Sequence, residues 1–467
     1  MALAEVRPAV RELAVAVAVG SAGAGFVILY RQLSVVAVLA LVAVPVIALT
    51  GVALAASSGR LAVAAWAVAA FTVPLNGVRV SILTLSDVLL IVAVAVTLPS
   101  LAADSRTRTA GVSRGVFAGL GAIAFGGVIG TLFAADAGAS LLTMSKFVLA
   151  SAGSVLAVML WAPSQERIRW FCHLWLLGAV FNAVWAIFIG RTPGARPAGL
   201  STHPNHLAMV CVLGVGLALG LALTGRRPLR GLALAALLPL SVALVLSGSR
   251  AAVVGCAVVV PSVAVLARRV QLAIRALFAV GVFALAVLAG FIRLPEETGL
   301  RRIIGDPTTI ASDAERAEHL SQSLDRLNDH PLTGEGFQFA QEAHNIYLQV
   351  AVAAGPLGVL GLFLIAGAML RASRGGLHAR AGPVSGDQAL LAGLGGGYAG
   401  YLVAGAFQNV LWDRYLWFYV AAAVVLAQTA ATETHEAGLA PQNAEVDGHL
   451  LVGRVHRASS GSERSGL

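Results

Sequence analysis

Residues 343–361 read AHNIYLQVAVAAGPLGVLG. A histidine and an asparagine stand side by side, and an almost unbroken apolar run follows, with glycines at 355, 358 and 361. A charge-free run of this length is that of a helix crossing a membrane. His344 and Asn345 are strongly hydrated, and His344 can titrate near neutral pH. Such a pair at the mouth of a membrane helix calls for a cap, a cavity or a ligand.

The apolar pattern recurs along the chain. The sequence is 58% hydrophobic and 12% charged, about half the charge of an ordinary soluble domain. It predicts an all-α polytopic membrane protein with about 12–14 transmembrane helices. The expected spans are 13–30, 34–56, 61–75, 82–98, 115–134, 141–162, 168–189, 205–223, 231–247, 251–267, 276–293, 344–370, 388–411 and 415–431. The first is read as a span, not a cleaved leader, because another follows at once. Cys172, Cys211 and Cys256 all fall in apolar runs and indicate neither a disulfide framework nor a metal site. The formal charge of +9 is no nucleic-acid signal, because the basic residues sit in short loops, where they set orientation.

With the N-terminus placed inside, twenty of the 32 basic residues fall on inner segments and eleven on outer ones, and Lys146 lies within a span. This bias predicts a multi-pass plasma-membrane protein with both termini cytoplasmic. Four regions follow: N-terminal spans over 1–189, a core over 190–370 that contains one large extracytoplasmic loop at 294–343, C-terminal spans over 371–431, and a disordered cytoplasmic tail over 432–467. Within the loop, SDAERAEHLSQSLDRLNDHP (312–331) reads as an amphipathic helix. Ser312 and Glu315 have capping-box spacing. Ala317, Leu320, Leu324 and Leu327 form one apolar stripe, and His330-Pro331 ends the helix. The helix is expected either to lie on the membrane surface, apolar side down, or to fold over its own loop.

Polar groups gather at the expected outer face: Arg196 with Asn205 in RPAGLSTHPNHLA, Arg250 in SGSR, Arg316 on the loop helix, and His344-Asn345. Lys146, the single lysine, lies inside a span, where a cation requires a cavity or partner. Arg79, Arg191 and Arg414 read as helix-end arginines that snorkel to headgroups, and His203, His206 and His319 as loop or surface histidines. Small residues after His344 have a packing explanation. Acidic residues are sparse at this face, so an external anion such as a phosphate or pyrophosphate is expected, gripped by guanidinium forks. There is no D-x-D pair, carboxylate cluster or P-loop, so neither metal-dependent sugar-nucleotide transfer nor ATP hydrolysis is expected, and no cofactor.

The chain resembles the O-antigen ligase family, which shares a domain with polysaccharide polymerases of the Wzy type. His344-Asn345, nine residues and Gly355-x-x-Gly358 match its H-N-x9-G-x-x-G motif, and Arg316-x3-Leu320 matches its R-x3-L loop motif. HPLTGEGF (330–337), Arg196-x-x-Gly199 with Pro204-Asn205, and the Ser-x-Ser-Arg ending at Arg250 are also similar. The resemblance covers mainly 190–370. It implies an architecture like the C-type glycosyltransferases and a metal-independent, inverting transfer at the extracytoplasmic face. The implied donor is a glycan on undecaprenyl pyrophosphate, and the acceptor a glycan, lipid or protein. His344 would be the general base, with Asn345 orienting it or binding sugar. Arg196, Arg250 and Arg316 would hold the pyrophosphate, with Lys146 a further candidate and Asn205 a substrate contact.

A ligase moves a finished glycan, whereas a polymerase extends one, and the sequence leaves both open. A transporter or lipid-linked glycan flippase is the alternative from another class; it would place charged residues and broken helices near mid-span in two matching halves. A peptidoglycan polymerase would want a central acid such as Asp306 or Asp313.

Overall fold

The computed structural model describes residues 59–80, 83–103, 111–190, 195–224, 227–269, 271, 309–338, 343–374 and 386–429. The expected spans 13–30, 34–56 and 276–293, Arg191 and the tail lie outside these residues. The described helices are α1 (Gly59–Thr72), α2 (Leu85–Ala103), α3 (Gly111–Thr131), α4 (Ala137–Lys146), α5 (Gly153–Trp161), α6 (Gln165–Phe188), α7 (Pro204–Leu223), α8 (Arg227–Leu246), α9 (Arg250–Leu266), α10 (Thr309–Asp329), α11 (Ile346–Arg374) and α12 (Gly386–Gly405). The last, α13, covers 414–429. A π-helical segment, Phe147–Ala152, joins α4 to α5 in one rod, and a two-stranded hairpin pairs Arg79–Val80 with Leu83–Thr84. Among the described residues, six helical stretches are long and apolar enough to cross a membrane: α3, the α4–α5 rod, α6, α7, α8 and α11. The protein is an all-α polytopic membrane protein.

Each expected span within the described residues overlaps a helix, with one cut short by more than three residues. The span expected to reach residue 411 ends at Gly405. The following turn is held by buried polar contacts instead: the Tyr401 hydroxyl donates to Val410 O at 2.6 Å, Trp417 Nε1 to Leu411 O at 2.8 Å, and Leu411 N to Gln349 Oε1 at 3.2 Å.

Helix α7 is the centre of the bundle, with 83% of its apolar window buried. Its glycines make the close seams that membrane helices need where water supplies no drive. A Cβ on Gly216 would lie 2.6 Å from Gly397 Cα of α12, and one on Gly361 of α11 would lie 2.5 Å from Gly119 O of α3. Helix α13 is tied to both α7 and α12 by the Tyr419 hydroxyl, which donates to Leu213 O and Gly393 O at 3.2 and 3.1 Å. Trp66, Trp175, Tyr401, Tyr415 and Trp417 fill the surrounding core.

Helix α11 is broken. Gly355 has φ 61° and ψ −157°, a conformation open to glycine and strained for other residues. Pro356 follows and has no N–H, so the carbonyl of Val352 loses its helical partner four residues on. The amide of Glu335 takes that place at 2.7 Å. Gly334 and Gly336 have φ of 70° and 80°, which lets the 332–336 loop press into the break. A Cβ on Gly334 would meet Val352 O at 2.7 Å. The glycine–proline pattern therefore builds a docking joint between the loop and α11.

Helix α10 begins no later than Thr309, so Ser312 and Glu315 lie inside it and are not its cap. Its inward edge is polar: Thr309 and Ser323 are buried, and Ser312, Asp313, Arg316, His319 and Arg326 are half-buried. The apolar stripe lies about a quarter turn away and faces outward, with Ile310, Leu320 and Leu324 exposed by 70%, 43% and 45%. The stripe thus turns away from the described bundle. A helix lying in a membrane surface has this arrangement.

Candidate active site at the His344 end of the bundle

The first residues of α2, α7, α9, α11 and α13 meet at one end of the bundle. At the opposite end Arg169 of α6 pairs with Asp387 of α12 at 2.6 Å. His344 precedes α11 and has φ 45°, a left-handed backbone that costs a non-glycine residue roughly 1–2 kcal/mol. Its neighbours hold it there. Ala343 is 2% exposed, and Asn345 Oδ1 accepts the amides of Tyr347 and Leu348 at 2.9 and 3.1 Å. Asn345 is therefore the cap of α11, and its oxygen is committed to the helix.

The His344 ring lies tilted against His319 of α10, with centroids 5.4 Å apart, and its Nδ1 is buried without a hydrogen-bond partner among the described residues. Burial, then the charge of Arg316, then that of His319 push its pKa below the usual imidazole value, with Glu315 opposing. His344 is thus neutral at pH 7 and able to accept a proton. His203 caps α7 by accepting the amide of Asn205 on Nδ1 at 3.1 Å. Burial and then Arg196, with smaller effects from His206, His344 and Arg316, bring His203 down to about 4. Arg316 therefore stands near both His344 and His203.

Arg196 and Asn205 meet directly. Arg196 donates to Asn205 Oδ1 at 2.7 Å and to Ser247 O at 2.6 Å. Arg196 so fastens the turn before α9, where Ser249 accepts the amide of Ala252. The next residue, Arg250, makes a two-pronged pair with Asp313 of α10, with Nη1 to Oδ2 at 3.0 Å and Nη2 to Oδ1. Lys146 stands half-buried where α4 passes into the π-helical segment. It makes no hydrogen bond or ion pair among the described residues. The next residue, Phe147, packs on Phe337 at 5.7 Å and Trp412 at 5.1 Å. π-Helical turns are common at functional sites.

The expectation that acids are sparse at this end is overturned. Asp313 holds Arg250. Asp87, 1% exposed, holds Arg414 through two contacts, one Nη2–Oδ2 at 3.1 Å. Arg414 is therefore an ion-paired core residue and does not snorkel. Asp413 lies 2.8 Å from His206 Nδ1 and accepts Asn76 Nδ2 at 3.3 Å, so His206 is a core histidine. Burial of the carboxylates is what sequence reading missed. An acid within a span needs a cation at matching depth, and Arg414 supplied that signal for Asp87. His319 was missed as a neighbour of His344.

Residues 234–364 match the family described as O-Antigen ligase. No curated protein matches the chain. The matched segment takes in Arg250, Asp313, Arg316, His319, the loop joint and His344, the groups that meet at this end. The match supports a membrane glycosyl-transfer role in polysaccharide biosynthesis. Over residues 234–364 the chain carries an O-antigen ligase-like domain.

Proposed function

We propose that the protein transfers a glycan from a polyprenyl-pyrophosphate carrier to an acceptor hydroxyl at the extracytoplasmic face, as a ligase or a polymerase. One observation carries the reading. A partly buried histidine, its pKa held below the usual imidazole value by burial and then by Arg316, stands at the mouth of a membrane helix with a ring nitrogen that has no hydrogen-bond partner among the described residues. His344 takes the proton of the acceptor hydroxyl as its oxygen attacks the anomeric carbon. The bond from that carbon to the pyrophosphate oxygen breaks, and the configuration inverts. Arg316 and Lys146 face the charge that builds on the departing pyrophosphate. Arg196 and Arg250 act through hydrogen bonds within the protein, to Asn205 and Ser247 and to Asp313. Asn205 and Asn345 shape the helix mouths on either side.

The ion pairs of the described helices lie at the two ends of the bundle, Asp87–Arg414 at one and Arg169–Asp387 at the other. This supports surface chemistry over passage of a solute.

The test is in vitro. The purified full-length protein is mixed with lipid-linked glycan extracted from its host, with a chelator present. Release of polyprenyl pyrophosphate with glycan transfer, lost in His344→Gln, is the expected result. Transfer that persists in His344→Gln contradicts the assignment, and transfer abolished by the chelator contradicts the metal-independent course.

A further inference from the structure

We propose that Asp313 is a positioning residue: paired with Arg250, it docks α10 so that Arg316 and His319 stand at His344, and Arg250 works through that pair, not on the donor. The inference rests on the glycosyl-transfer reading for its activity readout but not for its structural one.

Arg250 is fixed from behind. It opens α9, whose start is capped by Ser249, and the preceding turn is tied down by Arg196 through Ser247 O at 2.6 Å. Ala252 is fully buried, and a Cβ on Gly255 would lie 2.6 Å from Gly400 O of α12. The guanidinium thus projects from a rigid post. Both prongs of its fork are taken by the Asp313 carboxylate, the geometry a phosphate would otherwise use. One fork cannot hold both groups in this way.

On α10, Asp313 lies three residues before Arg316, on neighbouring positions of one face, and one further such step leads to His319. The far half of α10 has its own anchor, Arg326 with Glu335 at 3.8 Å, and Glu335 belongs to the loop joined to α11. The near half of α10 is held by Arg250. Without that pair the near half is held less tightly, and Arg316 with it.

The test uses the full-length protein with a cysteine at Thr309 or at Ser323, both buried on the inward edge at 5% and 4% exposure. Maleimide labelling is followed in detergent, with the parent chain correcting for its own cysteines. Surface glycan per protein is measured in the host. Asp313→Asn is expected to speed labelling at 309 about two- to fivefold, the size that loss of a partly exposed charge pair sets, and to lower surface glycan. The exchange Arg250→Asp with Asp313→Arg is expected to restore both. Restored shielding without restored glycan would show that Arg250 itself meets the donor and would overturn the proposal. Unchanged labelling in Asp313→Asn would overturn it as well. If the labelling behaves as expected while no variant, His344→Ala included, alters the glycan, the docking stands and the glycosyl-transfer reading falls.

Discussion

The amide of Glu335 donates to the carbonyl of Val352 at 2.7 Å, the carbonyl that Pro356 leaves without a helical partner. A surface loop and a membrane helix thus complete each other's hydrogen bonding at the point where α11 breaks. Phe337, three residues past Gly334, is then fully buried against Trp412 with ring centroids 4.5 Å apart. The loop that follows α10 is in this way anchored to the core.

Replacing Pro356 by alanine gives residue 356 an amide that can compete for Val352 O. The fold is expected to survive, while the Glu335 amide loses protection. Hydrogen exchange at Glu335 should rise with little change in thermal stability. Gly355→Ala is expected to be far worse, because it strains φ and brings a Cβ within 2.6 Å of Leu332 O.

Removing Asp87 leaves the half-buried Arg414 without its carboxylate. Asp87→Ala is expected to cost about 3–5 kcal/mol, the usual effect of breaking a buried pair from one side. The double change Asp87→Leu with Arg414→Met should be milder. Thermal unfolding of the detergent-solubilised protein checks the order. A snorkelling Arg414 would make the single change nearly neutral.

Asn345 acts as a helix cap. Asn345→Ala is expected to cost about 1 kcal/mol, and Asn345→Asp or Asn345→Ser should recover most of it together with activity. If serine restored stability but not transfer, the side chain would be contacting sugar.

The charge of Arg316 disfavours the imidazolium form of His344, and burial disfavours it more. The acid limb of the pH–rate profile is therefore expected below the ordinary imidazole value. Arg316→Gln removes a cation, so the His344 pKa rises and the limb moves to higher pH. The maximal rate is expected to fall by about 10²–10³, by analogy with loss of an oxyanion donor. A lower rate with an unmoved limb would mean that the titrating group is not His344.

Much of this was legible in the sequence. Charge-free runs fixed most of the described helices to within a few residues, because hydrocarbon demands continuous apolar length. Gly355 and Gly361 had a packing reason, and the structure bears it out, adding at Gly355 a backbone conformation no composition reveals. The pairings escaped. Asp313 lies 63 residues from Arg250, and Asp87 lies 327 from Arg414, so only the bundle brings them together. The loop helix was legible as amphipathic, but its docking by the polar edge was not, because an apolar stripe says nothing of which neighbour supplies ion pairs.

The most direct test is the size of the lipid-linked glycan that accumulates in a host carrying only His344→Ala, at matched protein level. Accumulation of carrier-bound glycan with loss of surface glycan is the expected result: long finished chains identify a ligase, single repeat units a polymerase. An unchanged carrier pool and an unchanged surface glycan would reduce His344 to a structural residue at a helix mouth and contradict the account.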